Sequence, residues 1–381
     1  MAQEVGLYIH VPFCRSRCHF CAFYLQMYRE DRASAYIASL LRELTLYVER
    51  NPFGGSFSGR PLTSVYFGGG TPTTLRPDYL SDILTRIRSA FPVRQDAEIT
   101  LEAHPDTVTT EGLGLLARTG FNRISFGIQS MEEHELLRVG RRSLLGTAKR
   151  AVANARQAGF ANINLDLIYG LPGQTLESWL ATLRETLSLL PTHVSCYALT
   201  IEEGTRLNVD RHRGEVVEPD EELQNRMEDT AQVVLENAGY VRYELSNYAR
   251  PGFACRHNLL YWTDGEYLGL GPSAQSYLNG CRFGNVEDLG AYHRLIEAGR
   301  VPVETVERLS PRQRAREAIV FGLRLIEGID QDLLRRDADR QHLARTIERL
   351  IGEDLLESRA EKIRLTERGR RVADSIAVEL L

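Results

Sequence analysis

Strand-like segments recur along the first 200 residues, and each is followed or preceded by a segment with helical periodicity. The predicted strands cover residues 7–11, 63–67, 98–102, 123–127, 162–168 and 193–198. After the first of them, apolar residues from Ile37 to Val48 recur every three or four positions, as on one face of a helix. Strands that alternate with helices in this way form parallel sheets with crossover helices. The pattern predicts an α/β protein with either a barrel or a doubly wound sheet.

Residues suited to chemistry follow the ends of these predicted strands one after another. They are the cysteines near residue 14, the glycines at 68–70, Glu102, Gln129 and Asp166. In parallel barrels the site lies at the carboxyl ends of the strands, where such residues would meet. We therefore expect a partial parallel (β/α)6 barrel with one mouth.

Three cysteines, Cys14, Cys18 and Cys21, lie at spacings of four and three directly after the first predicted strand. Three thiolates on one loop can hold three corners of a 4Fe-4S cluster and leave the fourth iron without a protein ligand. An open metal position admits a further ligand. A zinc knuckle with His19 as a fourth ligand, or a disulfide with one thiol left over, are the alternatives.

This loop, with Phe20 between the last two cysteines, resembles that of the radical S-adenosylmethionine (SAM) superfamily. There the cysteines carry a 4Fe-4S cluster, and SAM chelates the open iron through its amino and carboxylate groups. The segment GGGTP at 68–72 looks like the glycine motif whose backbone holds the amino group of SAM; on its own it could be a simple flexible turn.

The segments LEAHPD, RISFGIQS and INLDLIYGLPGQT extend the resemblance to the HemN-like branch of the superfamily. The resemblance implies SAM contacts for ten residues: Tyr8, Phe20, Gly68, Gly69, Gly70, Thr71, Glu102, Gln129, Arg141 and Asp166. By residue type alone, Glu102 could be a surface or helix-capping residue and Arg141 a solvated helix residue. Asp166, between two leucines, should point into the barrel, where ribose hydroxyls or Arg141 could pair with it.

The second half of the chain carries YELSNYARPG and then RHNLLYW, which resemble the signature of the HemW-like haem chaperones. In that family the motif is associated with haem binding, which implies haem contacts for His257, Tyr261 and Trp262, with His257 as an axial ligand. A hydrogen-bonded structural histidine is the alternative.

Two features favour the chaperones over coproporphyrinogen III dehydrogenases of the same branch. The dehydrogenases have a fourth cysteine in the loop, and Phe23 stands at that position here. They also have a longer N-terminal extension, which is not seen in this sequence. Two departures from the HemW-like pattern are Ala22 and Tyr24, around Phe23 where Asp-Phe-Asn is usual, and Gln275, where a histidine is expected.

The resemblance implies a haem chaperone that binds haem, a 4Fe-4S cluster and SAM and passes haem to respiratory haemoproteins. The alternative is a radical SAM enzyme, either a coproporphyrinogen III dehydrogenase-like oxidoreductase or a HemN-like methyltransferase, in which the reduced cluster cleaves SAM.

Three regions are expected: the radical SAM barrel at 1–205, a β-containing extension at 206–305 and a small winged-helix-like helical domain at 306–381. A net charge of −5 argues against nucleic acid as a partner. No run of about 20 apolar residues predicts a membrane span, and no leader precedes the first strand, so we expect a cytoplasmic protein. The sequence leaves a homodimer and a peripheral membrane contact open.

Overall fold

The computed structural model of the chain describes residues 5–50, 52–53, 60–141, 145–218, 220–337 and 339–381. The first part alternates strands and helices: β1 Val5–Val11, β2 Phe13–Cys14, β3 Gln26–Met27, α1 Glu30–Glu49, β4 Leu62–Gly69, α2 Pro77–Ala90, β5 Val93–Ala103, α3 Thr110–Thr119, β6 Arg123–Gln129, α4 Glu133–Arg138, α5 Leu145–Gln157, β7 Asn162–Tyr169, α6 Leu176–Ser188 and β8 His193–Ala198.

Six of these strands pair in parallel in the order β1-β4-β5-β6-β7-β8, which confirms the predicted α/β barrel core. All six predicted strands form; most are up to three residues longer than predicted, and β5 begins five residues earlier and ends one residue later. β8 does not return to β1, so the parallel barrel is open on one side.

Side chains alternate between the two faces of these strands, as the two-residue period of a strand requires. On β1, Leu7 and Ile9 are fully buried in the main apolar core, while Tyr8 and His10 lie on the other face. The inner faces of the next strands carry polar residues such as Ser64, Glu98 and Asn164. The barrel therefore has an apolar outer layer beneath its helices and a polar interior.

The extension continues this sheet on both sides. Its elements are α7 Arg206–His212, α8 Glu221–Asn237, β9 Val241–Arg242, β10 Asn247–Ala249, α9 Arg256–Trp262, β11 Glu266–Leu270, β12 Gln275–Leu278, β13 Cys281–Asn285, α10 Leu289–Glu297 and β14 Val303–Arg308. β10 pairs antiparallel with β8, whereas β11 pairs in parallel with β1 and leads into the antiparallel strands β12 to β14.

The short helix α9 packs against β1, β4 and β11 near their amino ends. The carboxylate of Glu98, near the middle of β5, accepts hydrogen bonds from the backbone N–H groups of Arg256 and His257 at 3.1 and 3.3 Å. These are N–H groups of the first helical turn, which no helical carbonyl can satisfy. Glu98 thus fixes α9 across the end of the barrel opposite to the cysteine loop.

The C-terminal part has its own apolar core. Its elements are α11 Pro311–Gly322, β15 Ile329–Asp330, a 3₁₀ helix Gln331–Arg336, α12 Arg340–Gly352, β16 Leu356–Arg359, β17 Lys362–Leu365, α13 Glu367–Arg371 and α14 Ala373–Leu380. β17 pairs with both β15 and β16 in a small antiparallel sheet. The expected two helices and hairpin form in the expected order, with β15 and the 3₁₀ helix between the two helices, and two short helices, α13 and α14, in place of one closing helix. In the part of the chain that the structure describes, no helix is both long enough and apolar enough to span a bilayer.

Candidate functional site

The cysteine loop begins where β1 ends and returns to β3 before α1. The Cys21 N–H donates to the Cys18 carbonyl at 3.2 Å, and the Tyr28 N–H donates to the Cys14 carbonyl at 2.9 Å. None of the three thiols is in a disulfide. Among the described residues, no group of three or more His, Cys, Asp or Glu side chains is arranged to hold a metal ion, and this applies to the three cysteines both with and without His19. All three thiols lie at the carboxyl end of the barrel.

The glycine segment after β4 is joined to this loop by backbone hydrogen bonds. The Gly70 N–H donates to the Val11 carbonyl at 2.8 Å, and the Thr71 N–H donates to the Phe13 carbonyl at 2.7 Å. The Thr71 hydroxyl lies 3.4 Å from the Cys14 sulfur. The two segments therefore form one unit at the barrel mouth.

Close packing explains why glycines occupy positions 69 and 70. A Cβ on Gly70 would lie 2.7 Å from the Phe13 carbonyl oxygen, and one on Gly69 would lie 2.8 Å from the His10 ring. Gly69 also has a φ of +106°, which residues with a side chain rarely adopt. Backbone conformation at Gly69 and sterics at Gly70 therefore favour glycine, so this segment is more than a flexible turn.

Glu102 lies on the inner face of β5, beside the glycine segment. Its Oε1 accepts a hydrogen bond from the Tyr66 hydroxyl at 2.7 Å, and a Cβ on Gly68 would approach the same oxygen at 3.1 Å. Burial raises the pKa of Glu102 to about 7, although the Tyr66 hydrogen bond opposes that rise. Glu102 is therefore placed inside the barrel, and neither alternative, a surface residue or a helix cap, describes it.

Arg141 links the barrel wall to the cysteine loop. It is 7% exposed, its Nη2 donates to the Gly127 carbonyl at 2.6 Å, and its Nη1 lies 3.9 Å from the Cys18 sulfur. Its Nε is buried and has no hydrogen-bond partner among the described residues. Arg141 is therefore not a solvated helix residue, and it places a positive charge beside the thiols.

Two of the three thiols, those of Cys14 and Cys21, lie in a low-dielectric setting. Burial raises the pKa of the Cys14 thiol to about 11 and also raises the pKa of Cys21, whereas Arg141 opposes both shifts. Cysteine binds a metal as the deprotonated thiolate. Bound iron would therefore add the positive charge needed to stabilise the thiolates of Cys14 and Cys21 in this buried place.

Two more predicted residues complete the mouth and the inner wall. Gln129 ends β6 with a φ of +70°, and the pairing of β6 with β7 shifts register between Gly127 and Gln129. Asp166 on β7 accepts hydrogen bonds from the Ser125 hydroxyl at 2.7 Å and from the Asn164 amide at 2.8 Å. Side chains of its own and the neighbouring strand thus satisfy Asp166, in place of the Arg141 pairing considered from sequence.

Tyr8 lies beside Glu102 inside the barrel, and Phe20 packs at the edge of a small apolar cluster that includes Val139 and Leu207. Two residues that the sequence reasoning missed share this wall. Tyr66 holds Glu102, and His10 lies with its Nδ1 3.2 Å from the Tyr8 hydroxyl. Both could have been found by stepping two residues from Gly68 and from Tyr8 along the inward face of their strands.

The HNLLYW segment does not join this mouth; it forms α9 at the opposite end of the barrel. His257 is 1% exposed, with Nδ1 2.8 Å from the Ser64 hydroxyl and Nε2 3.0 Å from the Tyr261 hydroxyl. Its ring stacks on Tyr66 with centroids 5.1 Å apart. Burial, assisted by Arg123, lowers the pKa of His257 to about 3. In this structure both ring nitrogens are thus engaged within the protein.

The departures from the family pattern also have definite places. The Tyr24 hydroxyl accepts hydrogen bonds from the Gln26 amide and the Leu289 N–H, so it connects the cysteine loop to the start of α10. Phe23 is 67% exposed next to that loop. Gln275 is exposed at the start of β12, and its amide reaches the Ser273 carbonyl at 3.4 Å.

Comparisons with known proteins concern the family and the fold of the chain. The family profile of the Radical SAM superfamily matches residues 8–186, and that of the HemN C-terminal domain matches residues 309–372. The chain is similar over its full fold to the solved structure of coproporphyrinogen III oxidase (HemN) from Escherichia coli, with a TM-score of 0.84 and 24% identity, covering 99% of this chain and 90% of that one.

Among curated proteins, the chain is 33% identical over 382 residues to "Heme chaperone HemW" of Mycobacterium tuberculosis, which covers 100% of this chain and 95% of that protein. It is 40% identical over 271 residues to the Escherichia coli protein of the same name, covering 71% of this chain and 69% of the relative. The chain belongs to the HemW family of the radical SAM superfamily.

Proposed function

We propose that this chain is a haem chaperone, which binds haem, a 4Fe-4S cluster and SAM and delivers haem to haemoproteins such as respiratory enzymes. The observation that carries the proposal is the similarity, over nearly the whole length of both chains, to a relative named a heme chaperone. The convergence of the cysteine loop, the glycine segment and Arg141 at one mouth supports the two cofactors.

Cys14, Cys18 and Cys21 would hold the cluster, and bound cluster and SAM would together supply one-electron chemistry at the open iron. Backbone carbonyls of the glycine segment would accept hydrogen bonds from the amino group of SAM. The free Nε of Arg141 is a buried donor that suits a carboxylate, so the residues present fit the cofactor.

The inner wall would hold the rest of SAM. Glu102, when ionised, would face its positive charge, and Asp166 and Gln129 would hydrogen-bond its ribose. Tyr8 and Phe20 would supply ring contacts. With six unpaired cysteines, a reducing compartment such as the cytoplasm suits the chain.

For haem, we propose that α9 is the responsible segment, through His257, Tyr261 and Trp262. Axial ligation by His257 stays a prediction. It would require the imidazole to exchange its hydrogen bonds to Ser64 and Tyr261 for iron.

Two measurements on the full chain test the proposal. Titration with haemin should show saturable binding, and the loaded protein should transfer haem to an apo-haemoprotein. Anaerobic reconstitution with SAM and dithionite should give little 5′-deoxyadenosine. A high yield that depends on coproporphyrinogen III or on a methyl acceptor, without haem transfer, would instead establish the radical SAM enzyme.

A further inference from the structure

The ring of His257 fills a closed niche at the end of the barrel opposite to the cysteine loop. Its Nδ1 lies 2.8 Å from the Ser64 hydroxyl and its Nε2 lies 3.0 Å from the Tyr261 hydroxyl. Gly6 on β1 leaves room for the ring, because a Cβ there would lie 3.1 Å from the imidazole. The ring of Tyr66 stacks on it with centroids 5.1 Å apart. The imidazole is therefore enclosed, and both its nitrogens are engaged.

Ligation of iron by His257 requires a second arrangement of this niche. A nitrogen that binds iron gives up its hydrogen bond to a hydroxyl, and a porphyrin cannot reach an imidazole that is 1% exposed. The ring would therefore have to leave the niche. Two states follow, one with His257 inside, as in this structure, and one with His257 outside, which alone can bind iron. The balance between the two states sets the apparent affinity for haem.

The wall of the niche also borders the proposed SAM site. Ser64, Tyr66 and Gly68 alternate along β4, so they share its inner face. The Tyr66 hydroxyl donates to Glu102 Oε1 at 2.7 Å, while the face of the same ring covers His257. One tyrosine thus contacts the mouth through its hydroxyl and the haem motif through its ring.

Tyr8, on the neighbouring strand β1, makes a second link. Its ring centroid lies 6.1 Å from that of Tyr66 and 6.3 Å from that of His257. Both tyrosine rings also pack against Gly68, where a Cβ would lie 3.0 Å from the ring of Tyr66 and 3.1 Å from that of Tyr8. The three rings and the glycine segment form one packed layer between the two ends of the barrel.

We propose that this layer couples the two sites with opposite sign: occupation of the SAM site holds His257 inside the niche and weakens haem binding, and bound haem weakens SAM binding by the same factor. The inference rests on the proposed haem chaperone function and adds a regulation to it. Tyr66 is the positioning residue that carries the coupling. A chain loaded with haem would release it more readily once SAM is present.

The sign of the coupling follows from packing. Departure of the imidazole would leave a space beside Tyr66 and Tyr8, and side chains next to an empty space lose contact energy. Both rings would gain contacts by moving into that space, which would draw the Tyr66 hydroxyl away from Glu102. Contacts of SAM with Tyr8 and Glu102 would oppose this movement and favour the state with His257 inside. A ligand shifts an equilibrium through such a difference in its affinity for the two states.

The test measures the haemin affinity of the full chain, reconstituted anaerobically with its cluster and kept without reductant so that SAM is not cleaved. Difference titrations at the Soret band, without SAM and with SAM at a concentration saturating for each variant, give two dissociation constants. Their ratio is the coupling factor. Tyr66→Phe removes the hydroxyl and retains the stacked ring. Tyr292→Phe is the matched control, because the Tyr292 hydroxyl also donates at 2.7 Å to a buried glutamate, Glu43, outside the niche.

In the wild type, SAM should raise the dissociation constant for haemin at least about fivefold, which is the lower end of usual couplings between sites. The factor should fall below about twofold in Tyr66→Phe and keep its wild-type value in Tyr292→Phe. Equilibrium dialysis of SAM with and without bound haemin should return the same factor, since linkage between two binding equilibria is reciprocal.

A second pair of variants tests the closed niche without SAM. Ser64→Ala removes a hydrogen bond from the state with His257 inside, so haemin should bind about two- to tenfold more tightly. Ser195→Ala is the control, because Ser195 is also a buried serine of the barrel strands, and its hydroxyl contacts Asn164. Its haemin affinity should match that of the wild type.

A haemin affinity that SAM leaves unchanged or increases in the wild type would overturn the inference and leave the chaperone function standing. So would a coupling factor in Tyr66→Phe equal to that of the wild type, or haemin binding by Ser64→Ala no tighter than that of the wild type. An unchanged haemin affinity and Soret spectrum in His257→Ala would also overturn it, since the niche would then have no bearing on haem. A wild-type chain that binds no haemin, with or without SAM, would instead overturn the proposed function itself.

Discussion

Removing the hydroxyl of Tyr66 should change how SAM binding depends on pH. In the wild type, burial raises the pKa of Glu102 to about 7, and the Tyr66 hydrogen bond at 2.7 Å favours the ionised form. Only ionised Glu102 can pair with the positive charge of SAM. Affinity for SAM should therefore fall as the pH drops through about 7. The variant Tyr66→Phe keeps the ring that stacks on His257 and loses only the donor.

The size of the effect follows from the energy of that hydrogen bond. A hydrogen bond to a charged group contributes about 1.5–3 kcal/mol, and one pH unit corresponds to about 1.36 kcal/mol. The midpoint of the SAM-binding profile should therefore rise by roughly one to two pH units in the variant. At pH 7.5 the ionised fraction of Glu102, and with it the SAM affinity, should fall roughly 3- to 25-fold.

The assay is SAM binding to the anaerobically reconstituted chain by equilibrium dialysis between pH 6 and 9. Tyr79→Phe is the matched control, since the Tyr79 hydroxyl also donates to a glutamate, Glu30, at 2.7 Å, but at an exposed position. Its profile should match that of the wild type. Identical midpoints for Tyr66→Phe and the wild type would refute the role given to Glu102.

Further predictions concern the cluster, the glycine segment and a buried acid. Replacement of any one cysteine of the mouth by alanine should abolish the binding of iron and sulfide, measured by metal and sulfide analysis, whereas Cys255→Ala at the opposite end should retain both. An unchanged iron content in the variants of the mouth would contradict the assignment. The three cysteines are Cys14, Cys18 and Cys21. Gly70→Ala puts a methyl group 2.7 Å from a backbone oxygen and should lower the free energy of unfolding by about 1–3 kcal/mol in urea titrations; unchanged stability would contradict the steric reasoning. Burial raises the pKa of Glu43 to about 7, so above pH 4.5 the unfolded chain releases a proton that the folded chain keeps. The free energy of unfolding should therefore fall by about 3 kcal/mol between pH 4.5 and 7, and it should fall less in Glu43→Gln. The same pH dependence of the free energy of unfolding in both proteins, measured by urea titration, would refute this.

Local patterns in the sequence were sufficient to predict most of the barrel. The alternation of strands and helices predicted all six parallel strands, and the position of cysteines, glycines and Glu102 after successive strands predicted one mouth. These features are visible because strand alternation and parallel pairing bring strand ends to one edge.

Partners from distant segments could not be read in the same way. Nothing near His257 indicates Ser64 as a partner of its ring, and nothing near Asp166 indicates Ser125 as its donor. Tyr261, by contrast, lies four residues after His257 on the same helix, where side chains are neighbours. Residue type alone left a solvated position open for Arg141, because arginine is mostly exposed, whereas this one is buried beside the thiols. Such contacts depend on the packing of the whole chain.

The pairing of β11 with β1 has a consequence for dissecting the chain. Because residues 266–270 cover the side of β1 that faces away from β4, the strand leading into the cysteines has neighbours on both sides. A fragment that stops near residue 205 would leave this strand as a bare edge, with open backbone donors and acceptors that invite association with other chains. The half that contains the cysteine loop therefore depends on a segment made much later in translation, and its sheet can be completed only after most of the polypeptide has been synthesised.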